Sequence, residues 1–399
     1  MVRGVCRIEN IPQISDVTLL LSILRDLGAR IRTINANTME IDCSSVRNGQ
    51  VPYEAARRCR ASCYMMGALL GRFGQAEVAL PGGCDFGGTR PIDQHLKGFK
   101  ALGAQVEVQS GFVNAQAKDG RLIGSSIFLD KVSVGATINI MLAAATAEGL
   151  TVIENVAKEP HIVDVANFLN SMGANIRGAG TDVIKVRGVE SLHGGTYSII
   201  PDQIEAGTYM AAVAACGGQV TIRDIIPKHM DCISAKLQEM GVEIQEIEDS
   251  LLVRRVGPLN KTNIKTMPYP GFPTDMQPQL AAVLCLAQGT SIITESVWSS
   301  RFRYADEFKR MGAQIQVNEN LAIIEGVERL SGAKIEACDL RAGAAMIVAA
   351  LAAQGTSEIT NVQYIERGYE DVINKFRLLG GRIAAVEIPD ESGDVRNAS

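Results

Sequence analysis

Aromatic side chains are scarce in this chain. There is one tryptophan in 399 residues, and phenylalanine, tyrosine and tryptophan together make up only 5%. A core built on large rings is therefore excluded, and abundant Ala and Gly must pack helices and sheets at close range. Histidine is equally sparse, with four copies, and no metal-ligand cluster is legible. Cysteine is present nine times but in an odd number and with no CxxC pair. That argues against a disulfide framework and reads as reduced thiols of a cytosolic protein. The apolar runs, such as GAAMIVAALAA from Gly343, fall far short of the roughly 20 residues needed to span a bilayer. The opening MVRGVCRIENIPQ carries no apolar stretch of the kind a signal peptide needs. A net charge of −5 with no basic block argues against nucleic acid as a main partner. Walker A, HExxH, GxSxG and a Rossmann GxGxxG in strand–helix context are all missing.

What is present is repetition. Six times a helix-like run ends in a bulky residue, then Gly, then a short alternating strand: RDLGARIR at Gly28, KALGAQVEV at Gly103, NSMGANIRG at Gly173, QEMGVEIQE at Gly241, KRMGAQIQV at Gly312 and RLLGGRIAA at Gly380. The spacing of about 70 residues exceeds the usual solenoid periods of about 20 to 50 and is long enough for a βαβ-type unit of its own.

A second phrase lies between the first: an Ala-rich helix, a Gly, then a β-branched strand. It reads MMGALLGRFGQAEVAL, NIMLAAATAEGLTVIENV, YMAAVAACGGQVTIRDI, QLAAVLCLAQGTSIITESV and MIVAALAAQGTSEITNV. These helices are expected to end at their Gly as left-handed caps, with Cys216 and Cys285 in apolar surroundings. The result is helix layered on sheet. GVCRIENIP at the start matches the strand that follows such a helix, so the period places a sixth Ala-rich helix, about 20 to 40 residues, before Met1. Three repeats (1–199) make a first domain and three (200–399) a second, facing each other across a cleft where ligands are commonly bound.

The start of each Ala-rich helix offers free N–H groups and partial positive charge, and the residues there are unusual. Arg60 opens RASCYMM, Lys131 and Ser133 open KVSVGATIN, Asp202 and Glu205 open DQIEAGTY, Asp275 opens TDMQPQL, and Arg341 follows Asp339 in DLRAGAAM. Thr274 or Asp275 also reads as a plain N-cap, as does Ser133, and Arg60 in RRCR reads as part of a solvated face. Arg341 is harder to dismiss, because a cation in a first turn opposes the helix dipole; an anionic neighbour is expected. In LPGGCDFGGTRPIDQHLKG, residues 80–98, the glycines and prolines rule out regular structure. Cys84 sits at the tip, where Arg90 would favour its thiolate, or else it is an incidental surface thiol. His95 falls where a helix should begin, and a structural polar contact is the favoured role. Arg301 in SSRFRYADE and Arg367 in YIERGYED complete a set with Arg60, Arg90 and Arg341 suited to a substrate bearing several anionic groups.

Together, LPGGC…RPIDQH, DKVSVGAT, FPTDMQPQ, DLRAGA and ERGYE resemble the enolpyruvyl transferase family, in its branch acting on UDP-N-acetylglucosamine, over essentially the whole chain. The resemblance implies an α/β fold: a two-domain inside-out α/β barrel of six βαβαββ-type repeats, the first incomplete. It implies transfer of the enolpyruvyl group of phosphoenolpyruvate to the 3-hydroxyl of UDP-N-acetylglucosamine with release of phosphate, the first committed step of peptidoglycan synthesis. No cofactor or metal is implied, nor a nucleic-acid partner or membrane span. Cys84 matches the loop cysteine acting as general acid, Asp275 the candidate base, and Arg90, Arg367 and Arg341 the phosphoenolpyruvate site. Arg60, Asp93, His95, Lys131, Val132, Ser133, Val134, Gly135, Asp275 and Val297 match nucleotide-sugar contacts, with Arg301 in the same cleft.

Three features depart from the family pattern. Its first Ala-rich helix opens with Gly-Ala-Lys-Asn, which nothing before Gly4 supplies. The span from Cys84 to Arg90 is one residue longer than usual, and Asp202-Gln203 stands where Asp-Arg is usual. These departures keep open a second reading, an N-terminally incomplete or non-catalytic paralogue that binds nucleotide sugar without turnover.

Overall fold

The structure is a computed structural model, described over residues 1–47, 51, 53–80 and 91–386. The six Gly phrases share one conformation. Each of the helices Ser15–Asp26, Asp93–Ala101, Pro160–Ser171, Asp231–Glu239, Tyr304–Arg310 and Val372–Leu378 is followed two residues later by its glycine, with φ between 88° and 100°. At Gly28 the amide donates to the Arg25 carbonyl at 2.8 Å and the Ala29 amide to the Leu24 carbonyl at 2.9 Å. The same pair of bonds recurs at Gly173, Gly241, Gly312 and Gly380. This is the Schellman stop, whose left-handed residue costs glycine nothing and other residues a steric penalty.

The Ala-rich segments form the helices Tyr64–Phe73, Val134–Ala144, Gln203–Cys216, Gln277–Leu284 and Leu340–Ala352. They are buried on most sides; every residue of Gln277–Leu284 is buried. A helix that is apolar all round belongs inside, whereas the helices of the Gly phrases bury only one stripe. Strands alternate, as in Val183–Arg187, where Ile184 and Val186 are buried and their neighbours are not. Helices therefore fill the centre and sheets wrap around them, an inside-out α/β arrangement. Only Gly74 and Gly217 stand directly at their helix ends. The other three helices stop earlier, at Ala144, Leu284 and Ala352, and Gly149, Gly289 and Gly355 turn the chain into the next strand with positive φ. Cys285 is fully buried, but Cys216 is exposed: it ends its helix at the rim, next to Gly217.

The unit is clearest between residues 126 and 187. Strand Ser126–Phe128 pairs in parallel with Leu150–Glu154, which pairs antiparallel with Val183–Arg187, itself antiparallel to Asn175–Arg177. With the helices Val134–Ala144 and Pro160–Ser171 between them, this is a βαβαββ unit. The same order recurs in Ile264–Lys265, Thr290–Thr294, Leu321–Glu325 and Gln314–Asn318. In the first sheet the outer parallel strand is His193–Ser198, paired with Arg3–Glu9, so the third repeat closes onto the first. Buried apolar residues form one large cluster from Val2 to Leu192 and another from Ile204 to Phe376. Among the described residues no helix is long and apolar enough to cross a membrane.

Candidate functional site

The starts of the inner helices of the second half carry charges. Asp275 lies in the tight turn Thr274–Met276 that leads into Gln277–Leu284. Neither it nor Thr274 caps the helix, so the N-cap reading fails for both. Instead Arg301 Nη2 donates to Asp275 Oδ1 at 2.8 Å and Arg341 Nε to Oδ2 at 3.3 Å. Arg301 is 2% exposed along its side chain, Arg341 14% and Asp275 41%, so the carboxylate is the most solvent-accessible member of the group. Burial alone would raise the Asp275 carboxyl, but Arg301, Arg341 and Arg60 outweigh it and hold the group well below the ordinary carboxylate range. Arg341 can occupy a first turn because Asp339 caps that helix, accepting from the amides of Arg341 at 2.8 Å and Ala342 at 2.9 Å. The expected anionic neighbour of Arg341 is Asp275.

Glu295, 2% exposed, fixes the surrounding backbone. Its Oε2 accepts from Thr274 Oγ1 at 2.9 Å; its Oε1 accepts from the amides of Val297 at 2.8 Å and Trp298 at 3.0 Å and from Thr266 Oγ1 at 2.7 Å. One carboxylate thus sets both the turn bearing Asp275 and the loop bearing Val297, whose side chain is 40% exposed. Trp298 in that loop meets the first half, with the Arg60 guanidinium 5.9 Å from its ring centroid. Arg60 begins the short turn Arg60–Cys63, exposed yet engaged by that ring.

Arg367, at the end of Val362–Arg367, does not join Asp275. It makes a two-point pair with Asp16 of the first half, Nε to Oδ1 at 2.8 Å and Nη2 to Oδ2 at 3.0 Å. The Gln13 amide donates to Glu370 Oε1 at 2.9 Å beside it.

The segment PIDQH, residues 91–95, and DKVSVGAT are folded together on the first half. Gln94 donates to Asp93 at 2.8 Å and to Asp130 at 3.2 Å, and accepts from the Asp130 amide at 2.9 Å. Lys97 pairs with Asp130 at 2.7 Å. This ties the start of Asp93–Ala101 to the loop at Lys131 and Val132, both exposed. Ser133 caps Val134–Ala144, accepting from the Ala136 amide at 3.3 Å. His95 is 6% exposed, with Nδ1 2.9 Å from Asn139 Nδ2, while Asn139 Oδ1 accepts from the Gly67 amide at 2.8 Å. Burial first and Arg60 second push its pKa down to about 4, against Asp93, so His95 is a neutral structural contact near pH 7. A Cβ at Gly135 would lie 3.0 Å from the His95 ring, which is why the tightly packed second residue of that helix is glycine.

Sequence reasoning missed Asp16, Gln94 and Glu295. Gln94 stood inside a motif already quoted; Asp16 and Glu295 carry no local signal, because each acts on residues distant in the chain. Cys84 and Arg90 lie outside the described residues. Among the described residues no group of His, Cys, Asp and Glu is arranged to hold a metal.

An arginine-framed carboxylate at helix starts, inside a six-repeat inside-out fold, defines a class. Residues 1–376 match the family described as EPSP synthase (3-phosphoshikimate 1-carboxyvinyltransferase), and the chain belongs to that enzyme family. Its relatives are more specific. The chain is 58% identical over 381 residues to UDP-N-acetylglucosamine 1-carboxyvinyltransferase of Clostridium botulinum, covering 96% of this chain and 91% of that one. It is 56% identical over 385 residues to UDP-N-acetylglucosamine 1-carboxyvinyltransferase 2 of Clostridium acetobutylicum, with the same coverage. Among solved structures, the enolpyruvyl transferase NikO from Streptomyces tendae superposes with a TM-score of 0.85 at 27% identity, covering 95% of this chain and 90% of that one. EPSP synthase of Acinetobacter baumannii, at 19% identity and a TM-score of 0.73 over 96% and 91% of the two chains, shares the fold.

Proposed function

We propose that the chain transfers the enolpyruvyl group of phosphoenolpyruvate to the 3-hydroxyl of UDP-N-acetylglucosamine, releasing phosphate, in the first committed step of peptidoglycan synthesis. The observation that carries this reading is the Asp275 carboxylate framed by Arg341, in the first turn of a buried helix, and by Arg301, from the loop before Tyr304–Arg310. The names of the relatives supply the substrates.

The reaction requires the sugar oxygen to bond to C2 of phosphoenolpyruvate while the methylene carbon takes a proton. Loss of phosphate from that adduct, with a proton leaving the same carbon, restores the double bond. Asp275 takes the hydroxyl proton and Cys84 delivers the one to carbon. The guanidinium pair keeps Asp275 ionised, hence free to accept. A polyanion bound beside Arg341 would offset part of its charge in place and so raise the basicity of Asp275 at the moment it is needed. Arg90, Arg341 and Arg367 take the anionic groups of phosphoenolpyruvate. Arg60, Asp93, His95, Lys131, Val132, Ser133, Val134, Gly135, Val297 and Arg301 form the nucleotide-sugar side, several by backbone or by shape. The halves, divided at residue 199, close over both substrates and exclude water. The protein acts in the cytoplasm, and through wall synthesis it serves cell shape and division.

The test is phosphate release that depends on both compounds together. Turnover lost in Cys84→Ala, with sugar binding retained, supports the assignment. Binding of UDP-N-acetylglucosamine by calorimetry with no phosphate release under any condition supports a sugar-binding paralogue instead.

A further inference from the structure

The tyrosine of ERGYE is left over once the arginine beside it has been assigned. Tyr369 is 2% exposed, and its ring lies under the Arg341 guanidinium, 5.6 Å from Cζ to centroid. Its hydroxyl meets the Arg341 side chain and is held by two further groups: Thr208 Oγ1 lies at 2.8 Å, and Gln279 Nε2 donates to it at 3.3 Å and to Thr208 at 3.2 Å. Thr208 and Gln279 are 1% and 0% exposed, on the inner helices Gln203–Cys216 and Gln277–Leu284. Thr208 in turn donates to the Ile204 carbonyl at 2.8 Å. The guanidinium is thus fixed on two sides, by the ring face and, through Nε, by Asp275. Its Nη1 is buried and has no hydrogen-bond partner among the described residues. A buried donor of this kind is costly unless something accepts from it, and the side chain keeps 14% exposure through which a ligand could reach it.

We infer that Tyr369, clamped by Thr208 and Gln279, is a positioning residue that holds Arg341 with Nη1 directed at an anionic oxygen of phosphoenolpyruvate. This rests on the transferase reading. An unclamped arginine on a flexible stem would lose side-chain entropy on binding; a ring face and a carboxylate remove that cost beforehand. The ring carries most of the contact, the hydroxyl adds to it, and Thr208 and Gln279 fix the hydroxyl. Substitutions should therefore grade: loss of the ring weakens phosphoenolpyruvate binding strongly, loss of the hydroxyl weakly.

The experiment compares Tyr369→Leu, Tyr369→Phe and Thr208→Val with the full chain, by phosphate release and by calorimetric titration of phosphoenolpyruvate in the presence of UDP-N-acetylglucosamine. Tyr369→Leu should raise KM and Kd for phosphoenolpyruvate about thirtyfold, the worth of a desolvated cation–π contact, while KM for the sugar nucleotide stays within about twofold. Tyr369→Phe should restore most of that loss, leaving about threefold, and Thr208→Val, which touches no substrate, should match Tyr369→Phe. Equal losses for both substrates, or no change in Tyr369→Leu with its thermal midpoint intact, overturn the proposal. If Tyr369→Leu does not fold, Thr208→Val decides it by the same split. Absence of phosphate release from the unsubstituted protein refutes the transferase reading, and the calorimetric series then decides whether Tyr369 positions an anion site.

Discussion

Asp275→Asn separates the chemical role of the carboxylate from its structural one. The amide keeps the volume and one acceptor, so Arg301 Nη2, at 2.8 Å, retains a partner. Its nitrogen then confronts Arg341 Nε, a donor at 3.3 Å, and the charge that balanced two cations is gone. Removing one member of a fully buried pair costs about 3–5 kcal/mol. The Asp275 side chain is 41% exposed, so water and ions replace part of the lost charge, and about 2 kcal/mol is expected here. The effect on rate should be far larger: removing a positioned base costs about a hundredfold to ten-thousandfold in kcat. Phosphate release gives the rate. Urea unfolding followed by far-UV dichroism gives the stability, and the single tryptophan, Trp298, reports the cleft.

The pH dependence provides a sign. The folded carboxyl lies below its ordinary value, so its stabilisation is complete above about pH 4 and fades as pH falls toward the folded value. The stability gap between the parent and Asp275→Asn should therefore narrow below pH 4. A gap that does not change with pH would show that the pair contributes no ionic stabilisation. Full kcat in Asp275→Asn would refute the base assignment.

Other outcomes follow from single sites. His95, with its pKa pushed down to about 4, binds its proton less readily folded than unfolded, so stability is lost as pH falls from about 6.5 to 4, by about 3 kcal/mol in all; His95→Gln should flatten that part of the profile in chemical denaturation. Gly312→Ala meets no atom within 4 Å but must adopt φ of 91°, so it should cost about 1–2 kcal/mol without altering kcat. Cys285, fully buried with its thiol pushed up to about 12, should escape brief iodoacetamide labelling of the native protein, as mapped by mass spectrometry, and react once urea is added. Glu295→Ala releases both Thr274 and the Val297–Trp298 amides; it should raise KM for the sugar nucleotide at least tenfold and shift the Trp298 emission.

Much of the architecture is local, and so was legible. The left-handed residue that stops each outer helix must be glycine for steric reasons within a few residues, which is why six copies could be counted before any contact was known. The buried helices announce themselves by an all-apolar circumference. Helix ends were less clear, because Ala145, Cys285 and Ala353 stop their helices without glycine. Sequence also marked charged residues at the helix starts. What it left undecided was partnership: whether Asp275 capped a helix or met arginines, whether Arg367 stood with Arg341 or with Asp16, and what held Arg341. Those pairings join residues that are far apart in sequence, from 26 positions for Asp275 with Arg301 to 351 for Asp16 with Arg367. Coulomb energy and burial act through space, so only the packed repeats decide which charges meet, while backbone sterics act along the chain and are written in its residues.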